Sequence, residues 1–147
     1  MSKRTELENA LKDAMRAQDD LRKRVVRMSL AAVKMAEIEK KTSLDDAAVI
    51  AVLQKELKSR QETISEAQRG GRPELVAENE AEIGVLREFL PKALSPLELE
   101  NLVREIIAET GASSPADMGK VMKLLTPRLE GRASGAEASQ VVRRLLQ

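Results

Sequence analysis

The residues whose types and spacing could do chemistry gather in the last third of this chain. Lys120, Lys123, Arg128 and Arg132 follow one another at short intervals, and Gly131 and Gly135 frame the arginine in Gly131-Arg132-Ala133-Ser134-Gly135. At the mouth of a helix, free amide donors and the positive end of the dipole face outward, so a cation placed there adds to a site suited to phosphate. Two readings of this stretch stay open. One is a compact cationic surface that meets a phosphate backbone. The other is a tight turn whose glycines meet positive-φ demands while the arginine is merely solvated.

Other candidate chemistry is weaker. Gly119-Lys120 lacks the spaced glycines and following hydroxyl of a phosphate-cradling loop, and it falls inside a helical pattern. A glycine there costs about 1 kcal/mol relative to alanine, which points to close helix–helix approach. Carboxylates are plentiful, but each shares a polar face with a Lys or Arg, and no pair reads as acid and base held in an apolar cleft. With no cysteine and no histidine, disulfides, thiolate nucleophiles, imidazole catalysis and the usual zinc sites are excluded. No catalytic residue, metal ligand or cofactor site is expected.

These residues need elements to hold them, and the elements read as helices throughout. The chain is 42% hydrophobic with one aromatic residue, Phe89, so its core is made of aliphatic side chains and methionine. Apolar residues recur at helical rather than alternating spacing, which gives an all-α class. Thr5-Glu6-Leu7-Glu8 has the form of a capping box. A second helix, about 21 to 41, is apolar on a broad face. Arg22-Lys23-Arg24 and Arg27 sit at its start, either as a solvated face or as a phosphate-contacting patch. A third helix, 44 to 68, has Ser43 as N-cap and a charge-laced outer face from Lys55 to Glu62. Gly70 and Gly71 break it, Pro73 opens a fourth, and Pro91 ends that one. Asn79 lies on the fourth helix's apolar stripe, at the edge of the packing or as a register-setting residue.

Beyond Pro91 three short helix patterns follow, opened by Ser95-Pro96-Leu97-Glu98, Ser114-Pro115-Ala116-Asp117 and Ser134-Gly135-Ala136-Glu137. Thr126-Pro127 bends or ends the second. Helices this short are not stable singly, so the three must pack together. The expected organisation is an N-terminal bundle of about four helices over residues 1–91 and a compact three-helix module over 95–147. Net charge is only +1, so any nucleic-acid surface comes from local placement. The N-terminal segment has no apolar stretch of the secretory kind, and no window approaches a membrane span. A cytoplasmic location is the expectation.

An ordered set of motifs gives the chain a resemblance. Arg27-Met28 with Ala32, Val33 and Lys34, then Gly70-Gly71-Arg72, Phe89-Leu90-Pro91-Lys92, Asp117-Met118-Gly119-Lys120-Val121-Met122 and Gly131-Arg132-Ala133 resemble the GatB/YqeY family, in particular its stand-alone YqeY-like members. The C-terminal portion is similar to the tail of the B subunit of the glutamine-dependent aminoacyl-tRNA amidotransferase. The resemblance implies a helical bundle followed by a tail module that helps recognise tRNA. The carbon–nitrogen ligase chemistry of that enzyme, with glutamine as amide donor, resides in a separate cradle region that nothing in this chain matches. The implied role is that of a non-catalytic accessory protein binding tRNA or structured RNA. Lys120, Lys123, Arg128, Arg132 and Arg27 are the candidate contacts, and Gly119, Gly131, Gly135 and Pro91 are structural positions. The alternative is a helical module that docks a protein through exposed apolar residues such as Met118 and Met122. Neither DNA nor a membrane is an expected partner. Family members often carry an acid where this chain has Ser134, which leaves any role of that acid unfilled.

Overall fold

The computed structural model describes residues 1–147 as seven α-helices and one 3-10 turn, with no strand. The all-α class is what the residue spacing requires. Contacts divide the chain into two compact units, Met1–Leu90 and Pro91–Gln147.

The first unit holds α1 (Lys3–Arg16), α2 (Asp20–Lys40), α3 (Asp46–Arg69) and α4 (Pro73–Arg87). α1 packs on α2 and α3, and α4 packs on α2 and α3. Leu7, Val25, Val26, Val33, Val49, Leu53 and Leu86 are fully buried at their centre, and Phe89 closes one end. Each such aliphatic side chain contributes about 1.5–3 kcal/mol by leaving water.

Several helix ends differ from their sequence-based expectation. Ser2, not Thr5, caps α1, its hydroxyl accepting from the Thr5 amide at 3.1 Å. α3 starts at Asp46 because Asp45, and not Ser43, caps it by accepting from the Ala48 amide at 2.8 Å. A carboxylate at that position also answers the helix dipole, which a serine does not. The Leu44 amide donates instead to Glu37 Oε2 at 3.0 Å. Pro91 is not what stops α4. The helix ends at Arg87, and Glu88, Phe89 and Leu90 tighten into a final turn whose amides bond three residues back.

The charge-laced face expected on α3 is broken at Arg60, which is 6% exposed. Its Nε donates to Glu82 Oε2 at 3.0 Å and one terminal nitrogen donates to Glu56 Oε2 at 3.0 Å. Its other terminal nitrogen lies 3.8 Å from the sulfur of Met28. Glu82 is shared with Arg24 at 3.3 Å, and Arg24 also reaches Glu78 at 4.0 Å, so two arginines and three glutamates form a joined network among α2, α3 and α4. Asn79 is also buried and satisfied, donating to the Leu75 carbonyl at 2.9 Å.

The second unit holds α5 (Pro96–Thr110), the 3-10 turn Pro115–Asp117, α6 (Met118–Leu129) and α7 (Gly135–Leu146). The three α-helices pack pairwise around Val103, Ile106, Val121, Leu125, Ala138 and Val142, all fully buried. α5 has the full capping box: the Glu98 amide donates to Ser95 Oγ at 3.1 Å and the Ser95 amide donates to Glu98 Oε1 at 3.0 Å. Ser134 caps α7 with a single bond, its hydroxyl accepting from the Glu137 amide at 3.1 Å. Ser114 makes no such bond. Asp117 takes over the entry to α6, its Oδ2 accepting from the Ser113 amide at 3.0 Å. Pro127 lies inside α6, and the helix runs two residues beyond it before Glu130 turns left-handed at φ 50°.

Candidate nucleic-acid interface

The five candidate cations are divided between the two units. Arg27 lies on α2, in the first unit, with its side chain exposed and no acid partner. Lys120 and Lys123 are exposed on α6. At about 100° per residue they share its solvent face with Leu124 and Pro127. Arg128 lies at the edge of that face and reaches toward α5. Its terminal nitrogens form a two-pronged pair with Glu109 of α5, at 3.0 and 2.7 Å. That pair lowers the Glu109 pKa and raises that of Arg128.

Arg132 is committed to the chain around it. Its Nε donates to the Lys92 carbonyl at 2.8 Å, and a terminal nitrogen approaches Glu98 Oε2 at 3.7 Å. Its carbonyl accepts from the Leu94 amide at 2.8 Å. Arg132 therefore ties the strap before α5 to the turn between α6 and α7. Arg128 and Arg132 do come together, in a shallow depression of about 410 Å³, but Glu98, Glu105 and Glu130 line it as well. The Glu98 pKa is lowered, first by the Ser95 amide it accepts from and then by the Ser95 hydroxyl, with a smaller pull from Arg132 and Lys92. An anionic ligand there meets three carboxylates against two guanidinium groups.

The structural glycines divide likewise. Gly131 has φ +75°, so the turn requires it. Gly135 is the first residue of α7, where an added methyl group meets nothing within 4 Å. Gly119 does not mark a close helix approach, for a Cβ there also meets nothing within 4 Å; nothing in the structure explains that glycine. Met118 and Met122 are not free apolar handles either. Both are half-buried against the α5–α7 core.

No group of three acidic residues is arranged to hold a metal ion, and no helix is long and apolar enough to cross a membrane. The Arg22-Lys23-Arg24 run is taken up inside the first unit. Arg22 pairs with Glu88 and lies 5.4 Å over the Phe89 ring, Lys23 pairs with Asp20, and Arg24 with Glu82. The phosphate-patch reading of that run therefore has little free charge to work with.

The family model described as Yqey-like protein matches residues 4–146. The chain belongs to the YqeY-like family. Its curated relatives include "Altered inheritance of mitochondria protein 41, mitochondrial" of Lachancea thermotolerans, 32% identical over 113 residues, which cover 75% of this chain and 60% of the relative. Proteins of the same name in Kluyveromyces lactis and Vanderwaltozyma polyspora are 33% and 30% identical, over 75% and 69% of the chain and 61% and 56% of their own length. The YqeY-like chain thus spans about 60% of the length of the curated relatives it matches. Their names overturn the cytoplasmic expectation, since all are designated mitochondrial. The sequence has no cysteine, and residues 1–6 carry no apolar run. Neither property distinguishes one reducing, aqueous compartment from another.

Proposed function

We propose that this YqeY-like chain is a non-catalytic accessory protein whose C-terminal three-helix unit contacts tRNA or structured RNA, weakly and in a salt-sensitive way. The observation that carries the reading is the pair Lys120 and Lys123, two exposed cations without an acid bond on one face of α6. The resemblance of this unit to the tRNA-recognising tail of the amidotransferase B subunit supports the same assignment. Arg128 and Arg132 are assigned structural roles, because each already has carboxylate or carbonyl partners. The carbon–nitrogen ligase chemistry is left with the larger enzyme.

Labelled tRNA titrated at two salt concentrations tests the reading. Binding at low salt should weaken about 10-fold or more in Lys120→Glu/Lys123→Glu, because charge reversal removes two phosphate contacts and adds repulsion. Lack of binding at low salt, or binding indifferent to that double substitution, sinks the proposal.

A further inference from the structure

The second helix presents an apolar face that its own unit does not cover. Met28, Met35 and Ile38 are 47%, 61% and 64% exposed, and Ala31 is exposed between them. Spaced three, four and seven apart, they occupy one stripe about three turns long. The opposite side of the helix, with Val25, Val26, Ser29 and Val33, faces the core. The chain's other exposed large apolar residues, Met1, Met15, Leu97 and Leu124, are dispersed over other elements. Single exposed apolar residues are ordinary, whereas an aligned set marks a contact surface.

Charge chooses the occupant. Arg27 and Lys34, seven residues apart and so on one margin of the stripe, are exposed and bonded to no acid. The acid on this face, Glu39, falls on the opposite margin by helical spacing. Met28 is steadied from beneath by the Arg60 guanidinium against its sulfur. Methionine side chains suit surfaces that must fit a partner's side chains. Interfacial membrane helices rely on Trp, Phe and Leu for their grip, and this stripe has none of them. We infer that the exposed face of α2 docks an acidic amphipathic helix of a partner protein, whose apolar stripe meets Met28, Met35 and Ile38 and whose acids meet Arg27 and Lys34. This surface lies in the first unit and does not depend on the RNA reading of the second.

A display library of helical peptides tests it, with apolar residues fixed at i, i+3, i+4 and i+7 and the flanking positions randomised between Glu and Lys. Selection against the full chain should enrich glutamate at the flanks. The enriched peptides should bind Met35→Glu at least 10-fold more weakly. Selection against Arg27→Glu/Lys34→Glu should reverse the preference to lysine. Both variants change exposed side chains to a good helix former, and circular dichroism confirms that each is folded. Several results overturn the inference: no enrichment, enrichment without a charge preference, or binding unaffected by Met35→Glu. So do flotation of the unmodified chain with phosphatidylglycerol vesicles and self-association that Met35→Glu abolishes.

Discussion

In the first unit a guanidinium sits within the helix packing, while in the second every arginine stays at the rim. All three buried polar residues of the protein, Ser29, Arg60 and Asn79, belong to residues 1–90. The second unit closes over an aliphatic centre and spends its polar groups on helix ends: the Ser95 box, the Asp117 loop bond and the Ser134 cap. The 24-residue α3 buries a charged side chain, Arg60, whereas the 21-residue α2 buries only Ser29 among its polar residues. Helices of 12 to 15 residues keep theirs outside and depend on their termini. Stability is thus exposed to different kinds of damage in the two units.

The largest expected effect follows from the buried network. Arg60→Ala strips Glu56 and Glu82 of their common cation in a poorly hydrated place. The cost is about 3 kcal/mol, the low end for a broken buried pair because both glutamates keep an edge in water. Replacing Arg60 and Glu82 together by methionine should recover part of that loss, since one of the two carboxylates goes with the cation while Glu56 stays unpaired. Urea denaturation of the single and double variants checks both. A double variant as unstable as Arg60→Ala would show that the arginine acts through packing and not through charge.

This network also marks how far residue spacing can be read. Helix class and core composition follow from periodicity, because aliphatic residues three and four apart leave no other way to pack. Arg60 does not follow. It stands among Lys55, Glu56, Lys58 and Glu62 with nothing local to set it apart, and only the approach of Glu82 from α4 makes its burial tolerable. The caps of α1 and α3 fall at Ser2 and Asp45 and not at Thr5 and Ser43 for a related reason. Several hydroxyls and carboxylates compete within a few residues, and the winner is set by where neighbouring chain lies, as with Glu37 taking the Leu44 amide. Of the candidate cationic site, the exposure of the two lysines is legible from the sequence. The fates of Arg128 and Arg132 are not, since Glu109 and the Lys92 carbonyl are 19 and 40 positions away.

Capping is the vulnerable device of the second unit, and the next effect in size is there. Ser95→Ala removes the hydroxyl from the α5 capping box and should cost about 1 kcal/mol. Ser2→Ala, which removes a cap bond that has no reciprocal partner in the first unit, should cost less. Thermal melts of the two variants compare them. A larger drop for Ser2→Ala would mean that end-capping does not distinguish the units.

Acid should separate the units as well. Four carboxyl groups of the second unit, Glu98, Glu100, Glu109 and Asp117, have lowered pKa values, against Glu37 in the first. The leading causes are amide donors for Glu98 and Asp117, and the Arg104 and Arg128 guanidinium groups for Glu100 and Glu109. Groups held below their unfolded values stabilise the fold fully above those values, and the contribution fades as pH falls through the lowered ones. Below the ordinary glutamate value of 4.5, amide protection in α5, α6 and α7 should therefore fall faster than in α1 to α4. Hydrogen exchange corrected for intrinsic rate, between pH 6 and 3, measures this. Equal loss in both units would break the contrast.

The smallest effect is the most informative about the RNA reading. Glu109→Gln removes the charge that holds Arg128 while keeping a similar shape. Stability should hardly change, because Arg128 and Glu109 are 41% and 42% exposed and such pairs contribute little. The released guanidinium becomes available to phosphate, so tRNA affinity at low salt should rise modestly and the salt slope should steepen by about one contact. The lysine face of α6 and the acid-lined depression around Arg128 then become distinguishable. If Glu109→Gln leaves the salt slope unchanged while Lys120→Glu/Lys123→Glu abolishes binding, the RNA path runs along the solvent face of α6 and away from Arg128. If Glu109→Gln alone raises affinity more than tenfold, the depression is the dominant site, and Glu109 restrains it.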